Sequence, residues 1–169
     1  MNSKLNPEEL CSLIDHHYPT LLLYARQWNA DFADDLVQDA FLQLVKRSHW
    51  EEKPPQPLAW LFQVVRNGAI DRLRKEKTRQ KHEESLAVEK AAIRFETPEN
   101  AAIQADEIQS LLASLTQEQR EIVIARIWGG LSFDEIAAIH KMSRTTVFRT
   151  YTEALSAMKW KSQHENEND

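Results

Sequence analysis

The sequence predicts an all-α protein built from two small helical domains. Its 169 residues include only 3 Gly and 6 Pro, and sheet-rich folds use many of both in their turns. Hydrophobic residues make up 42% of the chain, which is enough for a core and too many for a fully disordered protein. Apolar residues also recur at helical spacing along most of the chain. We therefore expect amphipathic helices as the main element.

Helical segments are predicted up to about residue 47. Between Pro7 and Trp28 apolar residues recur at helical spacing, and Pro19 is expected to end one helix and begin the next, because proline is tolerated in a first turn. Acidic residues then precede an amphipathic helix, and they are expected at its N-terminus, where the helix dipole favours negative charge. These acids are Asp31, Asp34 and Asp35, and the predicted buried stripe is Leu36, Val37, Ala40, Phe41, Leu44 and Val45.

A proline-rich loop is predicted at residues 51–57, because prolines at 54, 55 and 57 remove backbone donors and fix φ. The next helix is predicted from about Leu58 to Lys75 or beyond. Residues 76–100 are charged and lack a steady apolar stripe, so they are predicted as a linker with some helical tendency. The apolar face of the helix is formed by Leu58, Leu61, Phe62, Val65, Ala69 and Leu73.

Capping signals define the second half of the chain. Thr116 and Gln119 have the spacing of a capping box, and the helix they open is expected to end at Gly129-Gly130. Ser132 and Glu135 form a second box, which opens a short helix over residues 133–140. The polar residues 162–169 are expected to fray.

A helix-turn-helix pattern follows from the last two predicted helices. The turn Lys141-Met142-Ser143 leads into a helix over about 144–159 that Ser143 caps, with Val147 and Leu155 facing inward. The N-terminal end of such a second helix usually enters the major groove of DNA. An ordinary helical hairpin remains the alternative. The side chains expected to face outward are Arg144, Thr145, Thr146, Phe148 and Arg149.

Two positive islands lie in an acidic chain. The whole chain has 21 Lys+Arg against 26 Asp+Glu, a formal charge of −5, which excludes a uniformly basic nucleic-acid coat. Residues 58–82 nevertheless hold 7 basic and 2 acidic side chains, and residues 123–161 hold 6 and 3. Two separated islands suit a protein that touches a polyanion at two places, although a solvated helix end explains the first island equally well.

The sequence gives no support for an enzyme or a metal protein. The 6 His show no metal spacing, and the single Cys11 can form neither an internal disulfide nor a zinc site. Acid–base chemistry by His16 and His17 near Asp15 is disfavoured, because adjacent helix positions point in different directions. The N-terminus lacks the pattern of a signal peptide, and no stretch is apolar enough to span a membrane. We expect a cytoplasmic helical protein with no cofactor and no membrane insertion.

Three segments together resemble bacterial sigma factors. Residues 34–41 (DDLVQDAF) resemble region 2.2, and residues 59–74 (AWLFQVVRNGAIDRLR) resemble regions 2.3 and 2.4. Residues 115–121 (LTQEQRE) and 130–137 (GLSFDEIA) resemble region 4. The lack of a region 1 and of a separate region 3 domain is similar to the extracytoplasmic-function (ECF) group.

The resemblance implies a subunit that binds core RNA polymerase, through its β′ and β subunits, and directs it to promoters. Residues 1–80 would be the region 2-like domain, which docks on polymerase and recognises and melts the −10 element. Residues 81–108 would be a flexible linker, within a stretch of about 76–110 that threads the polymerase. Residues 109–161 would be the region 4-like domain for the −35 element, and 162–169 a disordered tail. Whether an anti-sigma factor exists is left open.

The resemblance also implies roles for individual residues at matched positions. The loop 48–57 and Asn67 would capture a flipped base of the −10 element, and Trp60 and Phe62 would lie near the melting site unless they are buried in the core. Docking on the β′ coiled coil would use Asp35, Gln38 and Asp39. Promoter phosphates near the −10 element would be held by Arg66, Arg72, Arg74 and Lys75. The −35 element would be bound by Ser143, Arg144, Thr145, Thr146, Phe148 and Arg149.

The chain departs from the family pattern in the helix-turn-helix. Many relatives have Gly where Lys141 stands, so a positive φ there would cost about 1 kcal/mol. Relatives also tend to have Arg where Thr150 and Glu153 stand, which shifts the expected −35 contacts onto Arg144, Arg149 and the helix N-terminus. Two other functions remain open: a regulator whose helix-turn-helix binds DNA alone while the first half binds a partner, and an interaction protein that does not bind DNA.

Overall fold

Helices form all the regular structure in the described part of the chain, residues 4–50, 52–81 and 108–165 of a computed structural model. They fall in two units, one within residues 1–91 and one within 92–169, as the predicted all-α fold with two small domains requires. Most of the predicted linker, residues 82–107, lies outside the described residues. The elements are α1 (Pro7–Arg26), α2 (Ala30–Trp50), α3 (Pro57–Gln80), α4 (108–113), α5 (Gln117–Val123), a π-helical segment (Ile124–Trp128), α6 (Phe133–His140) and α7 (Arg144–Glu165).

The predicted break at Pro19 is wrong, because Pro19 lies inside a continuous α1. Proline lacks the N–H that would donate to the carbonyl of Asp15, but both residues are exposed, so water can hydrate that carbonyl. Beyond Pro19, Leu21 and Tyr24 are fully buried and hold the helix against the core. Packing therefore outweighs the local preference of proline.

The core of the first unit lies between α1, α2 and α3. Tyr24 and Phe62 are fully buried and meet edge to face, with ring centroids 4.7 Å apart. The helices α2 and α3 approach closely at Gly68, where a Cβ atom would lie 3.0 Å from Cδ2 of Leu36. The predicted α2 stripe is buried except for Val45, which is 39% exposed and so overturns that part of the prediction. On α3 the predicted face is buried except at Leu58 and Leu73, which are half-buried.

The helix ends differ from the predicted ones around the proline-rich loop. Residues 48–50 continue α2 and Pro57 occupies the first turn of α3, so the described loop covers only residues 52–56. The helix α3 continues past Lys75 to Gln80, which places residues 76–80 in a helix rather than in a linker. Residues 76–80 include Glu, Lys, Arg and Gln, all good helix formers, which accounts for the extension.

Both predicted capping boxes are present in the second unit. The N–H of Gln119 donates to Oγ1 of Thr116 at 3.2 Å, and the N–H of Glu135 donates to Oγ of Ser132 at 3.2 Å. After α5 the chain widens into the π-helical segment, which the sequence did not predict. Gly130 then adopts φ +67°, a left-handed conformation that glycine tolerates, and the predicted stop at the two glycines is confirmed.

A buried polar pair links α5 to the end of α6. Nε2 of His140 lies 3.7 Å from Oε2 of Glu121, and the two side chains are only 1% and 4% exposed. Oε1 of Glu121 also accepts a hydrogen bond of 3.2 Å from the amide of Gln117. Because buried polar groups are costly without partners, this arrangement ties the first helix of the helix-turn-helix to the rest of its unit.

The inward face of α7 differs from the prediction at one position. Val147 is fully buried as predicted, but Leu155 is 36% exposed and Ala154 is buried in its place. Ala154 follows Val147 by two helical turns, and the next residue is rotated about 100° away from that face. The helix also runs to Glu165, past the predicted end at 159, so residues 162–165 of the predicted frayed tail are helical.

None of the described helices combines the length and the apolar composition that a membrane span needs.

Candidate functional site

The outer face of α2 carries exposed polar side chains above a buried apolar stripe. Asp35, Gln38 and Asp39, the residues predicted to dock on polymerase, are all exposed. Asp35 and Asp39 are one turn apart and therefore lie on one face of the helix. Only Asp31 of the predicted N-terminal acids lies in the first turn, and its N–H donates to Oδ1 of Asn29 at 2.8 Å. Asp35 is thus not a helix cap.

Gln38 is held in place by its neighbours. Its amide Nε2 donates to Oδ2 of Asp34 at 2.7 Å, and the hydroxyl of Tyr18 donates to the other oxygen of the same carboxylate. Burial, followed by the hydrogen bond to Asp34, raises the pKa of Tyr18 above its ordinary value, so the hydroxyl keeps its proton at neutral pH. On the next turn Asp39 accepts a hydrogen bond of 2.7 Å from the amide of Gln43. These bonds restrict the side chains of the face before any partner binds.

An apolar groove between α1 and α2 borders this polar face. It encloses about 380 Å³ and is lined by Leu10, Ile14, Tyr18, Gln38, Phe41, Leu42 and Val45. Leu42 is 57% exposed, although it belongs to the helix that supplies much of the core. Leu42 was not identified from the sequence, because it directly follows Phe41 of the buried stripe. The apolar pattern does not distinguish an exposed Leu at that position from a core residue.

The basic end of α3 lies near the α2 face through Arg72. Nη1 of Arg72 is 3.9 Å from Oδ2 of Asp35, and its guanidinium also lies over the ring of Phe32 at 5.0 Å. Arg74 and Lys75 are exposed, whereas Arg66 is half-buried. The island of positive charge seen in the sequence is thus mostly a solvated surface, which is what both a phosphate-binding role and a solvated helix end predict.

Asn67 and Trp60 occupy different environments on α3. Asn67 is exposed, so its amide can donate to and accept from a ligand. Trp60 is half-buried, and the guanidinium of Arg47 lies 5.7 Å from its ring centroid. Phe62 is fully buried, which assigns it to the core rather than to a melting site. In the adjoining loop Pro54 is buried and Nζ of Lys53 lies 3.4 Å from Oε2 of Glu9.

The start of α7 presents the residues predicted to bind the −35 element. Ser143 caps the helix, because its Oγ accepts a hydrogen bond of 3.1 Å from the N–H of Thr146. Thr146 is half-buried, and its hydroxyl lies 2.8 Å from that of Ser143, so it is less available than predicted. Thr145 and Arg149 are exposed, and so are Arg144 and Phe148.

Acidic side chains also lie near this surface. Nε of Arg144 is 3.5 Å from Oδ1 of Asp134 on α6, and both side chains are more than half exposed. Glu153 is exposed one turn beyond Arg149, whereas the hydroxyl of Thr150 donates to the carbonyl of Thr146 at 2.9 Å. The two departures from the family pattern therefore differ in kind, since Glu153 faces solvent and Thr150 bonds its own helix.

The histidines do not form a reactive cluster in the described part of the chain. Nδ1 of His16 lies 2.7 Å from the backbone carbonyl of Ser12. Burial, and to a lesser degree the charge of His16, lowers the pKa of His17. Within the described ranges no group of three or more His, Cys, Asp or Glu residues is placed to hold a metal ion.

Comparison with known families matches both halves of the chain. The family model for Sigma-70 region 2 matches residues 13–79, and that for Sigma-70, region 4 matches residues 105–158. The chain belongs to the sigma-70 family, in its ECF group. Such a sigma factor is a non-enzymatic subunit of transcription initiation that binds core RNA polymerase and promoter DNA.

Three curated relatives of this sigma factor are named as ECF RNA polymerase sigma factors. EcfG of Rhodopseudomonas palustris is 31% identical over 111 residues, which cover 66% of this chain and 60% of the relative. SigX of Bacillus subtilis is 26% identical over 132 residues, covering 75% and 68%. SigK of Mycobacterium ulcerans is 23% identical over 135 residues, covering 78% and 72%.

Solved structures share the fold of this sigma factor at lower sequence identity. RpoE in complex with the anti-sigma factor NepR, from Bartonella quintana, is 21% identical with a TM-score of 0.72, over 90% of this chain and 95% of that one. CnrH in complex with the cytosolic domain of CnrY is 21% identical with a TM-score of 0.60, over 94% and 90%. This likeness supports the helical fold described above.

Proposed function

We propose that three exposed surfaces divide the work of this sigma factor. The acidic face of α2 docks on polymerase, the basic end of α3 with Asn67 serves the −10 element, and the start of α7 serves the −35 element. The observation that carries the proposal is that these sets are largely exposed and, apart from the aromatic residues Trp60 and Phe148, polar. Each set lies next to a buried stripe that holds its helix in place. Such side chains cost little to leave in solvent and are available to partners.

The α2 face supports docking through Asp35, Gln38 and Asp39. The two carboxylates give it a negative charge, and Gln38 offers an amide already oriented by Asp34. A partner surface with basic side chains complements this face, and complementary charge raises the rate of encounter as well as specificity. The β′ coiled coil of the polymerase is the docking site that the family implies.

The −10 role rests on Asn67, on the loop and on the basic residues of α3. Taking a base out of the stack costs a few kcal/mol and requires a pocket with a polar reader. Asn67 supplies donor and acceptor groups, and the proline-rich loop that precedes α3 forms one wall. The half-buried Trp60 offers part of its ring to an unstacked base. The promoter backbone is held by Arg66, Arg72, Arg74 and Lys75.

The −35 role rests on the first turns of α7. The helix N-terminus and Arg144 suit phosphate, while Arg149, Thr145 and Phe148 suit base edges. Ser143 and Thr146 contribute mainly by capping and ordering the turn. We infer that the protein acts in the cytoplasm, where polymerase and chromosome are found, and that an anti-sigma factor can hold it, as NepR and CnrY hold the structural relatives.

Transcription from a randomised promoter library with purified core polymerase tests the proposal. Start sites that require this sigma factor, each preceded by a shared −10 and a shared −35 motif, are the expected result. Core polymerase alone provides the baseline. Binding to DNA without core and no new start sites with core would instead favour a regulator that binds DNA alone.

A further inference from the structure

Phe148 is an exposed aromatic residue on the helix proposed to enter the major groove. It is 52% exposed, yet its ring packs against the ring of Phe133. The two ring centroids are 5.3 Å apart and the ring planes meet at 84°, an edge-to-face arrangement. Phe133 on α6 therefore supports the ring of Phe148, while part of that ring remains exposed to solvent.

Phe133 is itself held on two further sides. Tyr151 lies one turn after Phe148 on α7. Its ring centroid is 5.4 Å from that of Phe133, and the two ring planes meet at 64°. The guanidinium carbon of Arg126 lies 4.5 Å from the Phe133 ring centroid. Edge-to-face rings and a cation over a ring face are both favourable arrangements, so Phe133 is fixed between α7 and Arg126.

Arg126 connects this aromatic group to the backbone. It lies in the π-helical segment, and its Nη1 donates to the carbonyl of Leu131 at 2.8 Å. One side chain thus bonds the turn before α6 and covers the first residue of α6. π-Helical turns inside α-helices often mark functional positions, and here the turn carries the residue that braces Phe133.

An exposed phenylalanine in the major groove has a defined chemical use. Thymine is the one base of DNA that presents a methyl group there, and an apolar side chain discriminates it by contact. A ring that is held in place before binding strengthens that contact, because a freely rotating side chain loses conformational entropy on binding.

We propose that Phe133 and Arg126 are positioning residues that hold Phe148 against the C5-methyl group of a thymine in the −35 element. The inference rests on the proposed function, since it needs α7 in the major groove of that element. It goes further by assigning a role to two residues that do not themselves touch DNA.

The test uses polymerase holoenzyme containing the full chain and a −35 element selected by the wild-type protein from a randomised library. Each thymine of that element is replaced in turn by uracil, which removes only the methyl group. For wild type, one replacement should weaken binding about fourfold, as expected for one buried methyl group. The measured quantity is the ratio of the affinity for the thymine element to the affinity for the uracil-substituted element. In Phe133→Leu and Arg126→Gln this thymine-to-uracil ratio should fall toward one. In Phe133→Tyr, which keeps the ring, the ratio should equal that of the wild type.

Val147→Ala is the matched structural control. Val147 is fully buried on α7, and the ring contacts with Phe133 are made by Phe148 and Tyr151 instead. Val147→Ala should therefore lower stability or overall affinity and leave the thymine-to-uracil ratio unchanged. A wild-type-like ratio in Phe133→Leu would overturn the positioning role, and so would an equal loss of the ratio in Val147→Ala.

The remaining outcomes separate this inference from the proposed function. If the library yields a −35 motif but no uracil replacement weakens wild-type binding, Phe148 contacts no methyl group and the inference is wrong while the −35 role stands. If the library yields no −35 motif at all, the proposed −35 role fails and the inference fails with it.

Discussion

Asp35 on α2 and Arg72 on α3 form an ion pair, with 3.9 Å between Oδ2 of the carboxylate and Nη1 of the guanidinium. The pair joins the surface proposed for polymerase to the surface proposed for promoter phosphates. The side chains are 70% and 45% exposed, so the pair contributes at most about 1 kcal/mol to stability. Neither side chain is locked, and each can exchange its partner for polymerase or for DNA at little cost.

Replacing Asp35 and Gln38 together by Ala should weaken binding to core polymerase. Losing a charged and a neutral hydrogen-bonding group at an interface costs about 2–4 kcal/mol, which corresponds to a loss of thirtyfold or more. Titration of core with a fluorescently labelled sigma factor measures the change. Helicity should stay as in wild type, because α2 begins at Ala30 with Asn29 before it and does not depend on Asp35 for its cap.

Asp15→Ala serves as the matched control for this docking variant, because Asp15 is an exposed acid on α1 outside the proposed face. It should bind core as wild type does. Equal affinities for the double variant and the wild-type chain, with unchanged circular dichroism, would remove the α2 face from the docking site.

Asn67→Ala should reduce open-complex formation and relax base preference at one −10 position. The amide is exposed and its loss removes a reader without opening a cavity, so the midpoint of thermal unfolding should hardly move. Discrimination at that position should drop by about 1–3 kcal/mol. Permanganate footprinting of a −10 library measures both effects, with Gln80→Ala, an exposed amide at the end of α3, as the control. An unchanged preference at every −10 position would show that Asn67 is not the reader.

The features predicted most reliably from the sequence are those that depend on residues close together in the chain. The capping boxes at Thr116 and Ser132 and the bounds of α6 depend on hydrogen bonds between residues three positions apart. The continuity of α1 through Pro19 and the exposure of Leu155 depend instead on packing between helices. A local pattern does not encode which face a neighbouring helix will cover.

The same limit applies to the candidate site. The helix-turn-helix pattern correctly indicated that Phe148 is exposed. The matched motif named Asp35 as a docking residue, and the structure finds it exposed. The motifs could not indicate that Arg72 pairs with Asp35, because the two positions are far apart in the sequence and meet only where α2 packs on α3. The contact between Arg126 and Phe133 was missed for a related reason, since it depends on the unpredicted π-helical turn.

Lys141→Gly should stabilise the second unit. Lys141 has φ 54° and ψ 44° at the end of α6, a left-handed conformation that disfavours residues with a Cβ atom. Relief of this strain, less the entropy that glycine loses on folding, should add about 0.5–1 kcal/mol. Differential scanning calorimetry should then show a midpoint several degrees higher. Lys141→Ala keeps the strain and removes the charge, so a gain of similar size in that variant would assign the effect to charge instead.

Asp134→Asn should increase affinity for every −35 sequence. Its carboxylate lies 3.5 Å from Nε of Arg144, so it would compete with DNA phosphate for that guanidinium if Arg144 binds the backbone as proposed. Both side chains are exposed, and release of the pair should strengthen binding by about threefold at low salt, less at high salt. Glu118→Gln is the matched control, since Glu118 is an exposed acid in the first turn of α5. A gain limited to some −35 variants would indicate a base contact by Arg144 rather than a phosphate contact.

Replacing Arg144 or Arg149 by Ala should change binding to the −35 element in different ways. Arg144 lies at the first residue of α7, where backbone N–H groups and the helix dipole also attract phosphate. Arg149 is exposed more than one turn later. It is the residue proposed to read base edges, where a bidentate contact to guanine discriminates by about 1–3 kcal/mol. Arg149→Ala should therefore relax −35 preference, whereas Arg144→Ala should weaken all sequences alike and lower the salt slope by about one charge.

Binding of holoenzyme to matched −35 variants at several salt concentrations separates the two roles. Equal losses on every variant for both substitutions would remove Arg149 from base reading. Glu153 supplies an internal check, because it is exposed one turn beyond Arg149 and repels phosphate if the backbone passes it. A uniform gain for Glu153→Ala, largest at low salt, places the DNA backbone beside that turn. No gain at any salt concentration would instead mean that the DNA backbone does not come close to Glu153. Contact with DNA would then be limited to the first turns of α7.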